Sequence, residues 1–150
     1  EDVTREIESI EAALKAELAA NPTNLTAIHD NFRFLNMVIE DEEAIPKTNT
    51  AYLNAMAASP KSADIMFKYG NFLFEVMNSV QGAEELYSKV LQSDPMHVLA
   101  LSNLATIHHI VNENLDRAED FYRQALEYQP SRADYFTREY HDKRNATGKL

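Results

Sequence analysis

Apolar residues recur along the chain every three or four positions, the spacing that places them on one face of an α-helix. The first such stripe stops at Asn21-Pro22, and the second is interrupted by four consecutive acidic residues at 40–43, which we interpret as a solvated connector. The apolar positions of the two stripes are Ile7, Ile10, Leu14, Leu18, Leu25, Ile28, Phe32, Leu35 and Ile39. The pattern predicts two helices in this part of the chain.

Prolines mark where further helices begin or end. Pro46 suits the first turn of a third helix, because the N–H groups of that turn have no partner within the helix, and Ser59-Pro60 ends it. Five more helices are predicted over 62–76, 81–92, 97–111, 115–128 and 131–144, with a frayed tail beyond them. The sequence therefore predicts eight helices, no strand and an all-α fold.

Several side chains recur at an interval of 35 residues. Three prolines, Pro60, Pro95 and Pro130, have this spacing, and Pro22 precedes them at a similar interval. The other recurring pairs are Gly70 and Ala105, Ala83 and Ala118, Tyr87 and Tyr122, and Leu91 and Leu126. A fixed period between about 20 and 50 residues is typical of stacked repeat units, each of which buries its apolar face against its neighbours.

The two clearest units share one residue pattern. Their first helices carry Met66, Tyr69, Gly70 and Leu73, and then Leu101, Leu104, Ala105 and His108. Their second helices carry Ala83-x3-Tyr87 and Ala118-x3-Tyr122, and a proline ends each unit. These residues resemble the tetratricopeptide repeat (TPR), whose signature is W-x2-L-G-x2-Y, then A-x3-F, then P. In such a repeat the small residues allow two helix backbones to approach closely.

The resemblance implies a TPR-like α-α superhelix, in which antiparallel helix pairs stack into a short solenoid. We divide a single domain, 1–150, into a leading helix 1–21, a divergent repeat 24–60, repeats 62–95 and 96–130, a capping helix 131–145 and a tail 146–150. Both clear units are one residue longer than the commonest TPR, and we place the extra residue in the turn between their helices. Because the chain begins with Glu1 rather than Met, we expect it to be a segment of a longer protein.

Composition and charge narrow the function classes. The net charge of −10 disfavours a polyphosphate ligand, so we expect no nucleic acid as the principal partner. The chain has no cysteine, and no apolar run approaches the roughly 20 residues of a membrane span. No signal-peptide pattern opens the chain, so we expect an intracellular, cytoplasmic protein with no membrane partner.

In a TPR-like stack the first helix of each pair lines the concave groove, so its non-core side chains are candidate peptide-binding residues. The candidates are Arg33, Asn36, Phe67, Asn71, Phe74, Asn103, Thr106 and His109, with His29, Asp64, Leu99 and Ile110 on the same stripes. Asparagine can donate to and accept from a peptide backbone, but Asn71 and Asn103 can equally cap or bridge neighbouring helices. Phe67 and Phe74 either form an exposed apolar anchor or pack on an adjacent helix.

Other site types are disfavoured. A clamp for a terminal carboxylate, which some TPR domains possess, wants lysine where Phe67 and Asp134 stand. Adjacent His108 and His109 point apart on a helix, and the acidic run at 40–43 lacks the glycine and alternating spacing of a calcium loop. No nucleophile and base are paired in the sequence, so we predict no catalysis and no cofactor.

The sequence therefore predicts a non-enzymatic scaffold that binds a peptide or helix of a partner protein in its groove. Two alternatives remain open at this stage. One is an RNA-binding helical repeat, a class that needs basic residues along the groove where Asp64 and Glu75 stand. The other is a self-association or spacer segment of a larger assembly.

Overall fold

The computed structural model of the protein describes residues 1–132, and the part of the predicted capping helix and tail beyond Arg132 lies outside it. Among the described residues there is no strand, so the predicted all-α class is confirmed for them. The helices are α1 (Asp2–Ala20), α2 (Leu25–Arg33), α3 (Ala44–Ala58), α4 (Ala63–Glu75), α5 (Val80–Ser93), α6 (Val98–Thr106) and α7 (Leu115–Tyr128). A short 3-10 turn, Pro130–Arg132, follows α7.

The chain forms two compact units, Glu1–Met77 and the part from Asn78 onward. The boundary falls inside the predicted repeat 62–95, so α4 belongs to the first unit and α5 to the second. In the first unit consecutive helices pack on one another from α1 to α4, and in the second unit α6 packs on both α5 and α7.

Three helices begin with the same kind of side-chain cap. The caps of α2, α4 and α6 are Asn24, Ser62 and His97, and each accepts a hydrogen bond from the backbone N–H three residues later. Such a cap satisfies one of the N–H groups that have no partner inside the helix. Because the caps are 38 and then 35 residues apart, the first repeat is three residues longer than the second.

The same three helices also end alike. Five-residue π-helical turns, Phe34–Val38 and Ile107–Val111, extend α2 and α6, and after α4 the N–H of Met77 donates to the carbonyl of Phe72 five residues earlier. A residue with positive φ follows each end: Glu40 at 56°, Asn78 at 53° and Glu113 at 51°. A π-turn contains one more residue than an α-turn. The residue by which these repeats exceed the commonest TPR length therefore lies in the last turn of the first helix. That turn directly precedes the connection between the helices, where we had placed the extra residue.

The helices before each proline end in a third common geometry. The C-caps of α1, α3, α5 and α7 are Asn21, Ser59, Asp94 and Gln129, all with φ near −139° and ψ between 73° and 86°. A residue that precedes proline is pushed out of the α region, and this explains why each helix stops there. The four C-caps identify α1 as a fourth helix of this type at the start of the chain.

Two features of the first unit differ from a regular repeat. Helix α3 begins at Ala44, so Pro46 is its third residue and lies in the first turn, as predicted, where a missing N–H is tolerated. Phe32 occupies the position of the small residues Gly70 and Ala105, as the 38-residue spacing of the caps shows. Helix α1 has no buried residue, so it contributes less to the core than α2 and α3 do.

The core of the second unit forms where α6 packs on α7. Leu101 and Ala105 of α6 form one cluster with Tyr122 and Ala125 of α7, and all four are buried. Partly buried apolar side chains surround this cluster: Leu91, Val98, Phe121 and Leu126. The alanines are entirely inaccessible, as expected where two helix backbones approach closely.

Candidate functional site

A cleft of about 280 Å³ lies in the first unit and is lined by residues of α2, α3 and α4, together with Val76 after α4. We call it the α2–α4 cleft. The lining side chains of α2, and likewise those of α4, are spaced mostly three or four residues apart, so each of these two helices presents one continuous face to the cleft. The residues that line it divide into an aromatic floor and a polar rim.

Three aromatic rings form the floor of the cleft. The ring of Phe72 lies 5.6 Å from that of Phe32, edge to face, and 5.3 Å from that of Tyr52. The Tyr52 ring is also stacked on Tyr69 at 5.2 Å, and the Tyr69 hydroxyl donates to the Asn49 side-chain oxygen at 2.6 Å. Burial raises the pKa of both tyrosines, so their phenols remain protonated at neutral pH. The floor is therefore rigid, apolar and uncharged.

The rim of the cleft carries two cations and one anion at neutral pH. Arg33 comes from α2, and Lys68 and Glu75 come from α4, with the half-buried Asn71 between the latter two. His29 completes the rim, and its Nδ1 lies 3.4 Å from a carboxylate oxygen of Asp30. Among residues 1–132, neither Arg33 nor Lys68 has an ion-pair partner. The cleft thus has a local positive excess in a chain of net charge −10.

A second hollow of about 290 Å³ adjoins the cleft. His29, Tyr52 and Lys68 line both, and Leu25 and Thr26 complete the second one. We call it the Leu25 hollow. Since three residues are shared, the cleft and the hollow form one groove along the exposed sides of α2 and α4.

The structure brings together two of the predicted peptide-binding residues of the first unit, Arg33 and Asn71, in the α2–α4 cleft. Asn36 is exposed but does not line the cleft. Phe67 is only 7% exposed and Phe74 is half-buried, so the packed alternative describes Phe67 better than the exposed anchor does. Peptide contacts of Asn36 and Phe74 stay predictions.

The predicted residues of the second unit are less accessible. His109 is 1% exposed, and this burial leaves it no surface to offer a peptide. The hydroxyl of Thr106 donates to the Ser102 carbonyl at 3.1 Å and lies 3.5 Å from the Tyr122 hydroxyl. Asn103 is half-buried on the same helix. Contacts of Thr106 and Asn103 with a peptide stay predictions, and we omit His109 from the proposed site.

The adjacent His108 is held inside the second unit. Its Nε2 lies 3.3 Å from a Glu84 carboxylate oxygen, its Nδ1 lies 3.1 Å from the Asn112 amide nitrogen, and its ring stacks on Phe121 at 5.5 Å. Burial lowers its pKa, and Arg117 acts in the same direction against the opposing charge of Glu84. These contacts and an exposed fraction of 5% place His108 in the packed interior of the second unit.

Sequence reasoning missed Lys68 and the three rings of the floor. The predicted stripe on α4 ran through 64, 67, 71 and 74, whereas the cleft is lined by 68, 71, 72 and 75. The two stripes differ by a rotation of α4 about its axis, which is set by the packing of Tyr69 and Phe72 on Tyr52 of α3. The tyrosines in these two helices were the available signal, since large aromatic residues fix how helices pack.

Residues 1–132 also contain the acidic connector at 40–43. In the acidic connector, Asp41 accepts a hydrogen bond from the N–H of Glu43 and another from Lys47, and the latter lowers its pKa. Within residues 1–132 no group of three or more His, Cys, Asp or Glu side chains is arranged to hold a metal ion. None of the described helices has the length and apolar character needed to cross a bilayer.

No protein-family profile matches the chain. In a comparison of sequences, 71 residues are 37% identical to a protein adenylyltransferase Fic of Aedes aegypti. That match covers 47% of this chain and 14% of the mosquito protein. The chain therefore spans only a small part of the length of this curated relative.

Solved structures of helical-repeat proteins are similar over most of the chain. The crystal structure of MamA matches 99% of this chain and 95% of its own, with 13% identity and a TM-score of 0.62. TTC0263, a thermophilic TPR protein of Thermus thermophilus, gives 19% identity and a TM-score of 0.68 over 93% of this chain and 74% of its own. A tetratricopeptide repeat protein of Parabacteroides merdae gives 18% identity and a TM-score of 0.69, and the match covers 97% of this chain and 57% of its own. With its capped helices and recurring turns, the chain therefore has the all-α, helical-repeat fold of TPR proteins.

Proposed function

We propose that this chain is a protein–protein interaction scaffold and that a peptide or helix of a partner protein binds in the α2–α4 cleft. The observation that carries the proposal is a concave site with a rigid aromatic floor and a rim of hydrogen-bonding side chains, Arg33, Lys68 and Asn71. Binding sites for polypeptides combine such apolar anchor pockets with a few orienting polar groups. The repeat fold supports the proposal, because helical repeats expose extended surfaces of this kind.

We further propose that the chain acts without catalysis. The matched adenylyltransferase is similar to this chain over 14% of its length, so its activity is not transferred to these residues. The titratable side chains of the cleft rim are Arg33, Lys68, Glu75 and His29, and they suit recognition by charge and hydrogen bonding.

A displayed library of random peptides tests the proposal, because it samples segments of any sequence. Peptides that the parent chain enriches would be labelled and titrated by fluorescence anisotropy against Asn71→Trp, which places an indole in the cleft. A matched control, Asn54→Trp, makes the same change at an exposed position of α3 outside the cleft.

We expect the cleft variant to lose at least about tenfold in affinity, and the control to bind like the parent. Circular dichroism would establish that both variants keep the parent helicity. If the library yields no enriched peptide, or if both variants bind like the parent, the cleft is not the binding site.

A further inference from the structure

The groove formed by the α2–α4 cleft and the Leu25 hollow has the length of a short extended segment. Along α2 its lining runs from Leu25 to Arg33, and along α4 from Lys68 to Val76. At 1.5 Å per helical residue, each wall is about 12 Å long. An extended chain advances about 3.3 Å per residue, so the groove spans about four residues.

An extended segment also matches the division of the groove into two hollows. Side chains at positions i and i+2 of an extended chain point the same way and lie about 7 Å apart. Two such side chains can enter the cleft and the hollow, on either side of the shared residues His29, Tyr52 and Lys68. A helix is about 10–12 Å wide with its side chains, so we assign the groove to the slimmer extended chain.

The charge of the groove selects the chemistry of that segment. Arg33 and Lys68 stand over the aromatic floor without an ion-pair partner among residues 1–132, and Glu75 lies at one end. A carboxylate placed between the two cations would gain charge-assisted hydrogen bonds in a partly enclosed site. The net charge of −10 repels a polyanion at long range, so the arrangement favours a single carboxylate over a run of them.

Building on the proposed function, we propose that the groove recognises an extended internal segment with one aspartate or glutamate within two positions of an aromatic or large aliphatic residue. The apolar side chain enters the cleft above Phe32, Tyr52 and Phe72, and a second side chain two positions away enters the Leu25 hollow. The carboxylate lies against the rim cations Arg33 and Lys68. Recognition uses a side-chain carboxylate and does not depend on a free chain terminus.

The test repeats the library selection with the charge of the groove reversed. The library is fused through its C-termini, so that it presents no terminal carboxylate. The parent chain should enrich acidic residues beside apolar ones, and the double variant Arg33→Glu with Lys68→Glu should enrich lysine or arginine at the same place. The matched control is Arg5→Glu with Lys61→Glu, which makes an equal change in net charge at two exposed positions outside the groove. It should keep the acidic preference.

A single replacement in the best enriched peptide measures the same contact. Changing its acidic residue to the matching amide should lower affinity for the parent about tenfold or more, and should not weaken binding to the Arg33/Lys68 double variant. Peptides that Asn71→Trp blocks but that show no acidic preference would overturn this inference while leaving the proposed function intact. An equal effect of both double variants would also overturn it, because the preference would then come from net charge. So would displacement of the peptide by random single-stranded RNA at physiological salt.

Discussion

The packing of α6 on α7 predicts that Leu101→Ala destabilises the protein strongly. Leu101 is completely buried and belongs to the cluster that also contains Ala105, Tyr122 and Ala125. The substitution removes three buried carbons, and at about 0.8 kcal/mol for each the transfer contribution alone is about 2.4 kcal/mol. A cavity among side chains that relax only partially adds to this, so we expect a loss of about 3–4 kcal/mol.

Leu99→Ala provides a matched control on the same helix. Leu99 is 47% exposed, so the same three carbons are removed from a site that water already reaches, and no enclosed cavity forms. We expect this variant to lose at most about 1 kcal/mol. The pair therefore separates the effect of burial from the effect of the substitution itself.

Urea unfolding followed by circular dichroism at 222 nm measures both variants. With a slope of about 1–3 kcal/mol per molar urea, a loss of 3 kcal/mol lowers the midpoint by about 1–3 M. Equal midpoint shifts for Leu101→Ala and Leu99→Ala would refute the reasoning, because they would show that α6 does not present Leu101 to a packed core.

Two further predictions concern a turn and a buried histidine. Glu40 has a φ of 56°, where any residue with a side chain is unfavourable, so Glu40→Gly should raise the free energy of unfolding by about 0.5–1 kcal/mol. The same change at exposed Glu8, inside α1, should lower the free energy of unfolding by about 1 kcal/mol. If urea unfolding shows that both variants change the free energy of unfolding in the same direction, the positive φ assigned to Glu40 is wrong. Because burial lowers the pKa of His108, the unfolded chain binds its proton more readily, and stability should fall as the pH drops below the ordinary histidine value of about 6.5. His108→Gln should show a smaller loss of stability between pH 7.5 and pH 5.5 than the parent, and an unchanged pH dependence would show that His108 is not desolvated.

The helices and their ends were largely readable from sequence, because they depend on local chemistry. Four of the five prolines, all but Pro46, mark the end of a helix, because a proline pushes the residue before it out of the α region. The small residues Gly70, Ala83, Ala105 and Ala118 are buried. Pro46 lies in the first turn of α3, as predicted, because a proline is tolerated anywhere in that turn. Local rules therefore account for the elements of the fold.

The candidate site was less predictable because it depends on how whole helices are rotated against each other. Arg33 and Asn71 line the cleft and lie at the centre of their predicted stripes, while their contact with a peptide stays a prediction. Lys68 and Phe67 are neighbours in sequence, yet one lines the cleft and the other is buried. The rotation of α4 that exposes one and buries the other is set by contacts such as the hydrogen bond from Tyr69 to Asn49. This bond joins residues 20 positions apart, so the periodic pattern of apolar residues in the sequence does not reveal it.

The extra length of the first repeat indicates where this chain can be extended. Repeats of 38 and 35 residues begin with equivalent caps and close before equivalent prolines, so their difference in length is confined to the stretch from the positive-φ residue Glu40 into the first turn of α3. The connection before α3 is thus longer than its counterpart before α5. A fluorophore, an affinity tag or a small reporter domain grafted between Glu42 and Glu43 would report on the protein while the paired helices keep their register.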